Sequence, residues 1–147
     1  MSPDLISKAK KLLAFLLIAS FLVGVSYLIV FKVSFLPNGY DLATVQNDTV
    51  SLKSFNLLGF EREIKTQSYS THDIWKIDDI KYQINRQKEH FWMLFSFTSI
   101  SLFLFIYKVL NGMKLWKVVL ESNIIFAVLL PMIPLIYTLD RITYLIS

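Results

Sequence analysis

Three long blocks of apolar residues alternate with polar segments along this chain of 147 residues. The first block, residues 12–31, is 20 residues long and carries no charged side chain. A helix rises about 1.5 Å per residue, so this block covers the roughly 30 Å of a bilayer's hydrocarbon layer. We predict a transmembrane helix over residues 12–32. Because the apolar stretch is too long for a cleaved signal peptide, we interpret it as an uncleaved signal anchor.

The second apolar block opens on aromatic residues and ends at a lysine. It covers the 17 uncharged residues 91–107, begins with Phe91 and Trp92, and is followed by Lys108. Aromatic and basic side chains are typical anchors at the two membrane–water interfaces. We therefore predict a second transmembrane helix over residues 91–108.

The third apolar block, residues 118–139, contains two prolines. Pro131 and Pro134 each lack a backbone N–H donor, and their rings clash with the preceding turn of a helix. We predict a third transmembrane helix over this block, kinked at the prolines or long and tilted. Residues 109–117 then form a loop, and residues 140–147 form a tail.

A polar segment of 58 residues, 33–90, separates the first two blocks. Residues 40–66 are compatible with a short hairpin or with an amphipathic helix lying on the membrane surface. Farther along, isoleucines recur at spacings of three, three and four residues, which predicts an amphipathic helix leading into the second block. These isoleucines are Ile74, Ile77, Ile80 and Ile84.

Together these patterns predict an all-α integral membrane protein. It has three transmembrane helices and a small α or α+β segment outside the cytoplasm, between the first and second spans. The composition agrees, because 54% of the residues are hydrophobic and only 18% are charged. Such a composition excludes a disordered chain, and the absence of cysteine excludes a disulfide-stabilised one.

Basic residues near the ends of the blocks predict the orientation, because short loops rich in lysine and arginine stay in the cytoplasm. One side carries six lysines: Lys8, Lys10, Lys11, Lys108, Lys114 and Lys117. The other side carries four basic residues near membrane ends: Lys32, Arg86, Lys88 and Arg141. We predict a plasma-membrane protein with residues 1–11 and 109–117 in the cytoplasm, and 33–90 and 140–147 outside it.

The net charge of +4 does not indicate a nucleic-acid partner. Lysines next to anionic lipid headgroups account for it. The abundance of Lys, Ile, Asn, Phe and Leu, with little Gly or Ala, is typical of a bacterium with an AT-rich genome.

Small and polar residues inside the apolar blocks are candidates for helix packing, since small side chains let helix backbones approach closely and hydroxyl groups bond across helices. These residues are Ser20, Gly24, Ser96, Ser99, Asn123, Ala127, Pro131 and Pro134. Glu121 is the single acid inside a block. We expect it to reach toward the cytoplasmic interface and pair with Lys117, four residues earlier.

Histidine and carboxylate residues gather before the second block, yet their spacing fits no recognised metal motif. They are His72, Asp73, Asp78, Asp79, Glu89 and His90. No phosphate-binding loop, dinucleotide fingerprint, nucleophile elbow or zinc-protease motif is found in the sequence, and the absence of cysteine removes thiol chemistry. We therefore predict no catalytic residue, no metal and no cofactor.

The function that these features favour is protein–protein contact within the membrane. The predicted partners are the lipid bilayer and another membrane protein or a second copy of the chain, as for an accessory subunit or an immunity protein. The isoleucine stripe is the candidate docking face, unless residues 40–66 of the same chain cover it. The alternatives are a holin-like pore-forming oligomer and a membrane-surface enzyme that uses His72 with Asp78 or Asp79.

Overall fold

The computed structural model describes residues 2–147, which form a mostly helical protein with one three-stranded sheet. Three helices are long and apolar enough to cross a membrane: Pro3–Lys32, Thr71–Leu110 and Ile124–Leu145. Three apolar helices are therefore confirmed. The all-α class is corrected by the three-stranded sheet between the first two helices, where α+β is the one of the two predicted alternatives that is formed.

The first helix, α1 (Pro3–Tyr27), begins at a polar cap and ends in a wider turn. The Ser2 hydroxyl accepts a hydrogen bond from the Leu5 N–H at 3.4 Å, and Pro3 occupies the first helical position. A proline fits there because its missing N–H would have no partner within the helix. The chain continues as the π-helical turn Leu28–Lys32, so α1 and this turn form one continuous apolar rod.

The second helix, α2 (Trp75–Leu110), has 36 residues and follows the short 3-10 turn Thr71–Asp73. At about 1.5 Å per residue it is about 54 Å long, well beyond the hydrocarbon layer of a bilayer. The half of α2 that carries the isoleucines therefore extends past the apolar half. Gly112, with φ of +81°, terminates the helix at its other end.

The third apolar block is divided into α3 (Leu115–Glu121) and α4 (Ile124–Leu145). The division lies at Asn123, whose φ of 55° is left-handed, and asparagine adopts this conformation more readily than most residues. Pro131 and Pro134 lie inside the continuous α4. The helix is therefore continuous through both prolines, and the chain breaks instead at Asn123, eight residues before Pro131.

Helix α4 also extends beyond the expected span 118–139. It continues to Leu145, so most of the segment 140–147 is helical rather than a separate tail. Ile142 and Leu145 are buried, and apolar contact with the sheet explains why the helix continues so far.

The sheet consists of β1 (Tyr40–Val45), β2 (Thr49–Phe55) and β3 (Glu61–Ser68), in the order β1-β2-β3 with antiparallel neighbours. Alternate residues of β2 are buried, which is the period-two pattern of a strand with one covered face. Of the two structures considered for residues 40–66, the hairpin is the one formed.

The sheet covers the projecting half of α2 and the last turns of α4. Their shared core consists of Val50, Leu52, Ile80, Ile84, Ile142 and Leu145. A second cluster lies nearer the middle of the molecule and consists of Val30, Leu36, Phe91 and Leu135. Both clusters include α2, which is the central helix of the fold.

Helix α1 runs antiparallel to α2. The Trp92 indole N–H donates to the Val23 carbonyl at 3.1 Å, while the rings of Phe15 and Phe103 lie 6.5 Å apart farther along. Lys11 therefore lies beside the end of α2 that carries Lys108. We call this end, which bears the six lysines named above, the lysine end, and the opposite end the sheet end.

Candidate functional site

The isoleucine stripe proposed as a docking face is mostly internal. Ile77, Ile80 and Ile84 have 5%, 0% and 3% of their surface exposed, whereas Ile74 is 42% exposed. The sheet and α4 cover the stripe, as the alternative interpretation anticipated. The apolar surface of Ile77, Ile80 and Ile84 is thus already used in the protein's own core, and only Ile74 of the candidate docking residues lies at the surface.

Gln87 attaches the first strand to α2. Its side chain is fully buried, its Nε2 donates to the Tyr40 carbonyl at 2.6 Å, and its Oε1 accepts from the Tyr40 N–H at 2.8 Å. These are the two bonds that a neighbouring strand would make with Tyr40. Gly39 provides the necessary space, since a Cβ there would lie 2.6 Å from Gln87 Oε1. The start of β1 is therefore closed by a side chain.

Further polar contacts hold the sheet and α4 to α2. Lys88 Nζ lies 3.0 Å from Asp41 Oδ1, and Arg141 contacts Asp79 Oδ2 through two nitrogens at 2.6 and 3.1 Å. The Tyr69 hydroxyl donates to the Leu145 carbonyl at 2.6 Å, and burial raises the pKa of Tyr69 above its ordinary value. These ion pairs and hydrogen bonds consequently hold the sheet, α2 and α4 together at the sheet end.

Strand β3 differs from the rest of this unit, because seven of its eight residues are exposed. In the described chain it pairs with β2 alone, so its outer edge has no neighbouring strand. The register places Lys65 opposite the buried Leu52 and places Ile64 opposite Lys53. Lys65 therefore lies on the inner face and Ile64, 55% exposed, on the outer face.

The histidine and carboxylate cluster is dispersed in the structure. Asp79 is paired with Arg141, Asp73 with Lys76, and Glu89 with Arg86. His72 is exposed in the 3-10 turn. Within residues 2–147, no three His, Asp or Glu side chains are placed so that they could hold a metal ion. Three of the four acids of this cluster, Asp73, Asp79 and Glu89, instead pair with neighbouring cations.

The candidate packing residues fall into two groups. Ser20 is exposed, and its hydroxyl donates to the carbonyl of Leu16 in the same helix. One turn later, a Cβ added at Gly24 would meet no atom within 4 Å. These two residues face away from the other helices. Ser96 and Pro131 are buried, and Asn123 and Ala127 line a groove between α2 and α4.

Two further residues of that set take part in hydrogen bonds within their own helix. The Ser99 hydroxyl donates to the Phe95 carbonyl at 2.6 Å, and the Pro134 carbonyl accepts from Thr138 at 2.9 Å. Bonds of this kind satisfy a polar side chain within its own helix, so neither residue requires a second helix.

Glu121 lies between two lysines at the lysine end. Its carboxylate oxygens are 3.8 Å from Lys117 Nζ and 3.1 Å from Lys108 Nζ. The Lys117 partner was expected from the spacing, whereas Lys108 comes from the end of α2. This ion pair connects α3 to α2 and leaves no isolated acid in the apolar part of the described chain.

No protein-family model, curated protein or solved structure matches this chain. The exposed edge strand β3 is therefore the candidate site on the basis of geometry alone. Sequence reasoning missed it because seven of the eight residues of β3 are polar, and such a strand shows no alternation of apolar and polar residues.

Proposed function

We propose that this chain is a small, non-enzymatic integral membrane protein that binds another protein through the free edge of β3. An accessory subunit of a membrane complex and an immunity-type protein are the two roles that fit such an activity. The observation that carries the proposal is an eight-residue strand with an unpaired edge, exposed along almost its whole length.

An unpaired strand edge presents a row of backbone N–H and C=O groups that an extended segment of a partner can join. The charges of β3 restrict which segment fits. Glu63 and Lys65 lie on one face, 3.6 Å apart, and Ile64 projects from the other face as its apolar residue. The fitting partner is an extended strand with alternating charges on one face and an apolar side chain on the other.

The same charges argue against uncontrolled aggregation through this edge. Natural sheets protect their free edges with charged side chains, because pairing with an unmatched strand would leave those charges without partners. The selectivity of β3 would thus come from charge and its affinity from backbone hydrogen bonds.

We further propose that the lysine end lies in the cytoplasm and the sheet end outside it, in the plasma membrane. The lysine end has six lysines and two acids, Asp4 and Glu121, whereas the remaining chain has nine basic and nine acidic residues. The whole net charge of +4 thus belongs to the lysine end. This asymmetry supports the orientation because basic ends stay in the cytoplasm.

The test is a proline scan of β3 combined with crosslinking in the native host. Successive backbone amides of a strand point to opposite edges, so one of Ile64→Pro and Lys65→Pro removes an outward amide and the other breaks the ladder with β2. Thermal unfolding in detergent identifies the outward variant as the one that keeps the parent stability.

We expect the outward variant to lose a stoichiometric partner that co-purifies with the parent chain. The alanine substitution at the same position is the matched control, because it removes the side chain and keeps the amide, and it should retain more of the capture than the proline variant. Full recovery of the same partner by the outward proline variant would overturn the proposal.

A further inference from the structure

The turn between β2 and β3 is apolar and exposed. We call residues 56–60 the hairpin tip. Leu57, Leu58 and Phe60 are 71%, 67% and 66% exposed, and the tip has no charged residue. Three exposed apolar side chains in one five-residue turn form an apolar patch whose exposure to water is unfavourable.

Most of the backbone N–H groups of the tip have partners within the protein. Asn56 Oδ1 accepts hydrogen bonds from the N–H groups of Leu58 and Phe60, both at 3.0 Å, and the Gly59 N–H donates to the Asn56 carbonyl. Polar backbone groups in an apolar medium must find partners within the protein. The N–H groups of Leu58, Gly59 and Phe60 therefore meet this requirement without water.

Phe35 connects the tip to the membrane-spanning part of the chain. Its ring lies 5.9 Å from the ring of Phe95, and a Cβ built on Gly59 would lie 2.5 Å from the same Phe35 ring. Gly59, Phe35 and Phe95 thus form a continuous stack. The depth of Phe95 in the membrane determines the depth of the tip.

Helix α2 gives that depth. Along α2, Phe95 lies four residues past Phe91, where the uncharged block begins, which is about 6 Å toward the lysine end. Along the first helix, the Phe35 N–H donates to the carbonyl of Ile29, so the Phe35 backbone lies about one turn beyond Ile29, near the level of Lys32. The Phe35 backbone therefore lies at the boundary of the apolar layer, and its ring reaches toward Phe95 inside that layer.

The length of the first helix agrees with these depths. From Lys11 to Lys32 the chain rises about 31 Å, close to the roughly 30 Å of the hydrocarbon layer. The tip, stacked on the far side of Phe35, therefore lies at the boundary of this layer.

We propose that the hairpin tip inserts Leu57, Leu58 and Phe60 into the leaflet at the sheet end, so that lipid is the partner of this surface. The inference rests on the proposed membrane crossing of α1 and α2. Interfacial apolar side chains typically reach about 5–10 Å into the headgroup and acyl boundary. Lys53 and Glu61, which face each other at 4.0 Å just above the tip, then lie at headgroup level.

Insertion gives the sheet a second attachment to the membrane. One attachment is the core with α2 and α4, and the other is the tip in lipid. With both attachments in place, β3 leaves the membrane at Glu61 and extends away from it, so its free edge is held at a fixed angle to the bilayer.

The absence of cysteine allows a direct measurement by site-directed spin labelling of the full chain. Leu58→Cys and Leu57→Cys are each labelled and reconstituted in vesicles of phosphatidylcholine with phosphatidylglycerol. Collision with oxygen, which concentrates in lipid, is compared with collision with a water-soluble nickel chelate. Leu17→Cys on α1, at 65% exposure, is the lipid reference, and Ile64→Cys on β3, at 55%, is the water reference.

We expect both tip labels to collide with oxygen severalfold more than with the chelate, as the Leu17 label does, and the Ile64 label to show the reverse. Tip labels that behave like the Ile64 label, while the Leu17 label behaves as in lipid, overturn tip insertion alone. If the Leu17 label is also accessible to the chelate, the membrane crossing itself fails, and the tip proposal fails with it. Thermal unfolding of each labelled chain identifies the sites that report on folded protein.

Discussion

The buried amide of Gln87 illustrates how a single side chain can replace a strand. Because both of its hydrogen bonds go to the backbone of Tyr40, its loss leaves a donor and an acceptor without partners at the start of β1. An unsatisfied buried group costs about 1–3 kcal/mol, so the effect is larger than the loss of an exposed hydrogen bond.

We therefore predict that Gln87→Leu lowers the free energy of unfolding by about 3 kcal/mol and the midpoint of thermal unfolding in detergent by about 10 °C. Asn85→Leu on the same helix is the control, because Asn85 is exposed and bonds only with Glu89 at 3.4 Å. Equal midpoints for the two variants would show that Gln87 does not hold the strand.

At the scale of elements, the hairpin tip depends on Gly59 for two reasons: its left-handed backbone and its close contact with the Phe35 ring. Gly59 and Gly112 share a φ of +81°, where a Cβ is strained in either case. Only Gly59 has a neighbour, the Phe35 ring, in the position that the Cβ would take. The two glycines thus form a natural pair for comparison.

We predict that Gly59→Ala destabilises the protein more than Gly112→Ala, by about 1–3 kcal/mol, because a Cβ there forces the Phe35 ring to move. Parallel thermal unfolding curves measure this difference directly. If the two variants are equally stable, left-handed strain alone accounts for both, and the contact between the tip and Phe35 is not tight.

An element could be predicted only where its burial leaves a hydrophobic pattern in the sequence. The apolar blocks and the isoleucine period identified α1, α2 and much of α4, because burial in lipid or in a core requires uniform or periodic hydrophobicity. β3 has a single apolar residue, Ile64, and gives no such signal. The break at Asn123 depends on one left-handed residue, a conformation that asparagine permits but does not require.

The candidate site was harder to predict than the fold. The stripe of Ile77, Ile80 and Ile84 was correctly placed on one helix face, yet the sequence left open whether the chain itself or a partner covers it. The answer depends on long-range contacts with Ile142 and Leu145, more than fifty residues away. Gln87 resembles any other polar residue of a helix until β1 is placed beside it.

At the scale of the whole molecule, the charge is distributed so that one end is basic and the other is neutral. Sequence alone placed the six lysines on one side, and the antiparallel packing of α1 on α2 brings Lys11 and Lys108 to the same end. The neutral end has most of its charges in close pairs, such as Arg141 with Asp79 at 2.6 Å. Such a distribution favours one insertion direction over the other.

We predict that a membrane-impermeant maleimide modifies Ser68→Cys in bacterial cells whose plasma membrane is intact and whose outer envelope has been permeabilised. The same reagent should modify Ser7→Cys only after the plasma membrane is also permeabilised. Both positions are exposed, so accessibility of the side chain does not bias the comparison. The opposite labelling pattern would mean that the lysine end is translocated and that the proposed orientation is wrong.

The closure of β1 by Gln87 has a consequence for stoichiometry. A sheet with two open edges can accept a strand on each side and so grow into a chain of subunits. In this sheet a strand added along β1 would have to displace the two bonds that Gln87 makes with Tyr40, whereas β3 is exposed at seven of its eight residues. Strand addition at β3 is therefore favoured over addition at β1, and we expect a pair, one copy of this chain with one partner, rather than a filament.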